Sequence, residues 1–243
     1  MSDHELAARL ATQAGELLLS VREEFAGASA AERKSAGDKR SHEFLMKALT
    51  DARPADAVLS EEAADDRRRL QAERVWIVDP LDGTREFSEL GRSDWAVHVA
   101  LWEAGELAVG AVALPAQGLT LATPDVPPPP PHSGPARIVV SRTRPPAIAM
   151  RVREQLDGTL VEMGSAGAKV AAVVQGLADV YVHAGGQYEW DSAAPVAVAR
   201  AAGLHTSRID GSPLQYNQAD LLLPDLLVCR PEHADAVLAA VNP

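Results

Sequence analysis

Leu6, Leu10, Ala14, Leu17, Val21 and Phe25 recur at three- to four-residue intervals, which places them on one face of an α-helix. Ser2 and Glu5 have the spacing of a capping box, so the pattern predicts a helix over 3–25 packed by one face. A polar stretch with Gly37 and Asp38 then leads to a second helical pattern whose apolar side is Phe44, Leu45, Ala48 and Leu49. Asp38 is expected near the start of that helix, where a carboxylate is favoured. Val58-Leu59-Ser60 and Val75-Trp76-Ile77-Val78 read as short buried strands, each running directly into acidic residues. Residues 95–102 and 107–114 alternate about Glu103-Ala104-Gly105-Glu106, a hairpin pattern.

Pro124 and the run Pro127 to Pro131 cannot support regular hydrogen bonding, so 124–135 reads as a stiff connector, with a proline-rich ligand for a partner domain as the other reading. Beyond it, strand-like 137–141, 159–163, 179–183 and 221–228 alternate with helix-like 146–156, 165–176, 191–202 and 232–241. The expectation is an α+β lobe over 1–130 and an α/β lobe over 131–243.

With 243 residues, 47 % of them hydrophobic, the chain can bury a full core. A formal net charge of -11 argues against a nucleic acid polymer as partner, because such binding rests on Lys and Arg neutralising phosphates. A small anion remains compatible if cations offset the carboxylates at its site. The single Cys229 precludes an internal disulfide and reads as a buried small hydrophobe. Asp3, His4, Glu5 and Arg9 interrupt any signal-peptide core and no apolar run could span a bilayer, so the expected location is cytoplasmic, without a membrane span.

The candidate chemistry centres on Asp79-Pro80-Leu81-Asp82-Gly83-Thr84. Asp-Pro and Asp-Gly are ordinary turn dipeptides, and a plain loop is one reading. The other follows from context. Asp79 ends an apolar strand, Gly83 lets the backbone approach a ligand, and Thr84 opens a short helix whose first amides can meet a phosphate. Two carboxylates so close repel unless bridged, and hard oxygen donors beside a phosphate favour Mg²⁺. Glu61 and Glu62 close the preceding strand and Asp191 opens a later helix, so these can bring further oxygens; loop solvation and N-capping explain them equally well.

Ser60-Glu61-Glu62, Asp79 to Thr84, and Trp190-Asp191-Ser192-Ala193-Ala194 together resemble the inositol monophosphatase superfamily in order and spacing, with weaker similarity from Asp38 to Leu223. The resemblance implies a five-layer αβαβα sandwich of the inositol monophosphatase/fructose-1,6-bisphosphatase type, with the site between the lobes. It implies a magnesium-dependent phosphoric monoester hydrolase with two or three Mg²⁺. Glu61, Asp79, the Leu81 carbonyl, Asp82 and Asp191 would be the metal ligands, with Glu62 behind them, and Asp38 would orient Thr84 to help deprotonate the attacking water. Ser35 to Ser41 departs from the usual segment at Asp38, for which helix capping is the alternative.

Val58 to Glu62, Val139-Val140-Ser141-Arg142, Tyr188 to Asp191 and Gly211-Ser212-Pro213-Leu214-Gln215-Tyr216-Asn217 bring the chain nearer to the CysQ-type 3'(2'),5'-bisphosphate nucleotidases. That implies 3'-phosphoadenosine 5'-phosphate as substrate, with Gly83, Thr84, Ser165 and Asp191 at the substrate. Lys169 and Arg142 would be cations for a second phosphate in a chain with only four lysines; a surface role is the alternative for both. Inositol or sugar phosphates, alone or with the nucleotide, are the alternative substrates, and a noncatalytic binding protein the alternative class. Lithium inhibition and a homodimer also belong to what the resemblance implies.

Overall fold

The computed structural model describes residues 1–143 and 145–242. Helices α1 (Asp3–Glu24) and α2 (Ala30–Ala52) open the chain. Strands β1 (Ala57–Ser60), β2 (Arg74–Asp82), β3 (Ala96–Glu103), β4 (Glu106–Leu114) and β5 (Leu119–Ala122) form a first sheet in chain order, with the short α3 (Thr84–Ser88) after β2. Its β1–β2 pair is parallel and the rest antiparallel. The second sheet has the order β7-β6-β8-β10-β9 and comprises β6 (Arg137–Ser141), β7 (Thr159–Met163), β8 (Val180–Tyr188), β9 (His205–Ser207) and β10 (Leu222–Cys229). Between these strands come α4 (Ala147–Gln155), α5 (Ala166–Val174) and α6 (Glu189–Ala201), and α7 (Ala234–Val241) ends the described chain.

Strand alternation sorts the side chains into layers. On β2, Trp76 and Val78 face α1 and α2, whose Leu6, Leu10, Leu18, Leu45 and Leu49 complete an outer core. Val75 and Ile77 point the other way, into a central core with Val170, Val173, Val196 and Val198 of α5 and α6. Tyr181 and Val228 of the second sheet close that core, while Val180, Val182 and Leu227 face α4 and α7. The layers are therefore αβαβα. Among the described residues no helix is long and apolar enough to cross a membrane, and Cys229 is buried in the outer core of the second sheet.

Two local expectations are corrected, and two short strands join those the sequence showed. The second helix begins at Ala30, capped by Ser29 and Glu32, so Asp38 lies mid-helix and caps nothing. The polar stretch with Gly37 and Asp38 read as the lead into the helix, and the capping box upstream starts it earlier. Strand β2 does not end at Asp79 but runs through Asp82, with a register shift against β3 between the two aspartates. Short strands β5 and β9 had no visible pattern of their own; they form because β4 and β10 offer them an edge.

Candidate metal centre

The irregularity in β2 shapes the centre. A shift in strand register re-aims side chains, and here it brings Asp79 and Asp82 to one side, where the first turn of α6 delivers Asp191. One carboxylate oxygen from each of the three lies within 4.8 Å of the others. Asp79 and Asp82 are buried and Asp191 is half-buried.

Their surroundings differ. Asp79 accepts the Leu81 amide at 3.0 Å; burial and the facing charges of Glu61, Asp82 and Asp191 push its pKa well up. Burial, with Asp82 opposite, pushes Asp191 up to about 6, although one of its oxygens accepts the Tyr188 amide at 2.6 Å. That bond gives the capping alternative its place: Asp191 is not the N-cap but the third residue of α6, closing a capping box on the amide of the residue that precedes the helix. Glu61 stands exposed at the rim as a hydrogen-bonding partner of Asp79; desolvation of its carboxyl by the surrounding protein, with Asp191 and Glu62 near, raises it to about 7. Glu62 is exposed beside it.

Asp82 is the exception. Burial alone would raise it, but the contact from His98, the Ser165 hydroxyl and the Gly167 amide reverse the sign and hold it at about 2. Its Oδ2 accepts the Ser165 hydroxyl at 2.6 Å and the Gly167 amide at 2.5 Å, and its Oδ1 accepts the Ala166 amide at 3.1 Å. Asp82 thus sits on the N-terminus of α5, whose orphan amides and dipole favour an anion. Ser165 holds this contact at a backbone φ of +44°, a conformation that costs energy outside glycine.

His98 was not anticipated. It is wholly buried on the inner face of β3, with Nδ1 3.0 Å from the Trp190 carbonyl and Nε2 3.2 Å from Asp82. Both ring nitrogens face acceptors; burial opposes a charge on the ring, and the neighbouring Asp82 raises its pKa against that. A Cβ on Gly167 would lie 2.0 Å from Nε2, which is why the residue there has no side chain. The available signal was a lone histidine in the otherwise apolar run Ala96 to Leu101. Asp94 was missed too: it accepts the Gly164 amide at 2.6 Å and so fixes the same turn.

Asp38 and Thr84 meet. Burial, then the charge of Glu62, lifts Asp38 to about 7, while Lys34 and a hydrogen bond from Thr84 pull the other way. The Thr84 hydroxyl also reaches the Leu81 carbonyl at 3.2 Å. Gly83 turns the chain between Asp82 and Thr84 with φ +82°. The two cations lie further back. Lys169 is buried rather than on the helix surface, and donates to the carbonyls of Gly164 at 3.2 Å and Ser165 at 2.7 Å. Arg142 is paired with Glu86 at 2.7 Å and Glu89 at 3.1 Å.

Three converging carboxylates, two of them with pKa values raised by burial and mutual repulsion, are destabilised as anions without a cation. The three grouped donors are all hard carboxylate oxygens, which suits Mg²⁺ or Ca²⁺ better than zinc or copper. The residues present therefore fit a divalent metal ion.

The fold and site define an αβαβα sandwich whose acidic centre, between its two sheets, could hold a metal ion. The chain belongs to the inositol monophosphatase family, whose profile matches residues 3–125 and 136–242. It is 52 % identical to the 3'-phosphoadenosine 5'-phosphate phosphatase of Mycobacterium leprae (strain TN), across 100 % of this chain and 94 % of that protein. It is 53 % identical to the protein so named from Mycobacterium tuberculosis (strain CDC 1551 / Oshkosh), across 94 % and 89 %. The crystal structure of CysQ from Bacteroides thetaiotaomicron superposes with a TM-score of 0.78 at 27 % identity, covering 94 % of this chain and 97 % of that one.

Proposed function

We propose that this protein hydrolyses 3'-phosphoadenosine 5'-phosphate to AMP and phosphate, with Mg²⁺ at the carboxylate centre. The observation that carries the reading is the Asp79, Asp82 and Asp191 cluster in a chain 52 % identical over its full length to a phosphatase of that name. We assign Asp79, Asp82, Asp191, Glu61 and the Leu81 carbonyl as metal ligands, with Glu62 behind them. Two or three Mg²⁺ held there supply positive charge against the phosphate oxygens and acidify water.

The chain's own groups do the rest. Asp38, with a pKa of about 7, is poised to take a proton near neutrality, and its partner Thr84 orients the water that gives it up. Amides of Gly83 and Thr84 face the scissile phosphate in this reading, with Ser165 and Asp191 at its flank. Lys169 and Arg142 are the cations for the second phosphate in this reading; Lys169 Nζ also holds the Gly164 and Ser165 carbonyls, and Arg142 Nη2 pairs with Glu86 and Glu89. Residues 1–130 and 131–243 are the two lobes of the proposal, working in the cytoplasm.

The test is phosphate release, with and without Mg²⁺, from 3'-phosphoadenosine 5'-phosphate, inositol 1-phosphate and fructose 1,6-bisphosphate, with Asp82→Asn as control. A dominant nucleotide rate that needs Mg²⁺ and Asp82 is expected. Preference for another ester would reassign the substrate, and silence on all three would sink the enzymatic reading.

A further inference from the structure

The metal centre draws on two parts of the chain. Asp79 and Asp82 come from β2 of the first sheet, and Asp191 from α6, which follows β8 of the second. Their convergence depends on how those parts are docked, so whatever sets the docking sets the metal site. One set of contacts crosses between them just behind Asp191. It uses the Gly211 to Asn217 segment, for which the phosphatase reading has no role.

Glu189, in the first turn of α6, is 2 % exposed and accepts the amides of Asn217 and Gln218, each at 2.7 Å. Arg69, on the 3-10 stretch Arg67–Gln71 between β1 and β2, is 1 % exposed. Its Nη1 donates to Asn217 Oδ1 at 2.6 Å, its Nη2 to the Gln218 carbonyl at 2.8 Å, and its Nε to Asp65 at 2.7 Å. Asn217 returns a bond from Nδ2 to the Arg69 carbonyl at 3.4 Å and holds a left-handed backbone, φ +59°. Arg67 adds a bond to the Ala219 carbonyl at 2.9 Å, and the Tyr216 and Ser192 hydroxyls meet at 3.0 Å.

We propose that Arg69, Asn217 and Glu189 form a latch between the first sheet's 3-10 turn and the start of α6, and that Glu189 is a positioning residue for Asp191. This rests on the assignment of Asp191 as a metal ligand. The residues flanking Glu189 are also tied, Tyr188 by its amide to Asp191 and Trp190 by its carbonyl to His98. Glu189 supplies the anchor to the 217–218 loop, and Arg69 carries that anchor to the first sheet. Buried charge-assisted bonds with every oxygen engaged hold a geometry tightly, and groups that orient ligands typically change metal affinity or activity by 10–100-fold when lost.

Glu189→Gln keeps the shape but turns an NH₂ group toward a backbone N–H. Mg²⁺ binding is read by titration calorimetry on the purified protein, beside the Mg²⁺ dependence of 3'-phosphoadenosine 5'-phosphate hydrolysis and the metal-free melting temperature. Mg²⁺ affinity is expected to fall about tenfold, the Mg²⁺ needed for half-maximal rate to rise in step, and kcat to recover at saturating Mg²⁺. Arg69→Lys, which cannot reproduce the fork, and Asn217→Gly, which accepts the backbone angle but deletes the side chain, are expected to weaken Mg²⁺ binding less. These two keep the Glu189 carboxylate and decide the matter if Glu189→Gln does not fold. Unchanged Mg²⁺ affinity in the folded variants would overturn the latch. If the parent binds Mg²⁺ but leaves the nucleotide intact, the substrate reading fails, while calorimetry still decides the latch.

Discussion

Asp79 and Asp179 are both shut away from solvent, at 1 % and 0 % exposure, and they fare in opposite ways. Asp179, just before β8, accepts Arg137 through Nε, Nη2 and its amide, each at 2.9 Å, and Arg230 at 2.7 Å. Burial opposes its charge, and the two guanidiniums more than reverse this, holding its pKa below the usual carboxylate range. Asp79 has a single amide donor and three acidic neighbours, the His98 ring standing 4.0 Å off with its Nδ1 on the Trp190 carbonyl, and is pushed up instead. A buried carboxylate with its counter-charges in the protein is a structural fastening. One surrounded by other carboxylates is stable as an anion only when a cation arrives from outside. Asp82, paired with His98 and the amides of α5, stands between the two cases.

The contrast breaks most visibly in activity. Asp79→Asn is expected to lower the Mg²⁺-dependent hydrolysis rate by more than about 100-fold, since removing groups that merely orient metal ligands already costs 10–100-fold. In metal-free protein the same substitution removes repulsion, so its melting temperature should equal or exceed the parent's. A marked loss of metal-free stability would make Asp79 another structural fastening. Asp179→Asn should do the reverse: urea unfolding is expected to show a loss of about 3–5 kcal/mol, because two arginines lose their shared counter-charge. Its kcat should be unchanged wherever it remains folded.

The smallest effect, and the sharpest on sign, is in pH. Asp38 and Glu61, at about 7, and Asp191, at about 6, titrate above the ordinary 3.8 to 4.5 when the protein is folded and metal-free. Between about pH 4 and 7 the folded state therefore holds protons that the unfolded chain has released, so this contribution is fully present below about pH 4 and is lost as pH rises to 7. Asp179 works oppositely, contributing above its unfolded pKa and failing only in strong acid. Thermal melts from pH 4.5 to 8 should show metal-free stability falling with pH and Mg²⁺ removing most of the slope. A metal-free slope of the other sign would refute this reading of the cluster.

Much of this was legible in the chain itself, because it depends on neighbours in sequence. Helical and strand periodicity located most elements, since burial of one face imposes it, and the motifs about Glu61, Asp79 and Asp191 marked the acidic residues. Where a local rule was overruled, as at Gly37-Asp38 inside α2, the competing signal lay upstream at Ser29 and Glu32. Only tertiary structure could decide the rest. Asp82 meeting the α5 N-terminus 83 to 85 residues later, His98 filling the space that Gly167 leaves, and Arg69 reaching Asn217 across 148 residues are contacts between distant segments. Nothing in local spacing reports which carboxylate finds a cation and which does not, because Coulomb energy and desolvation depend on distance in space and on the surrounding medium, not on separation along the chain.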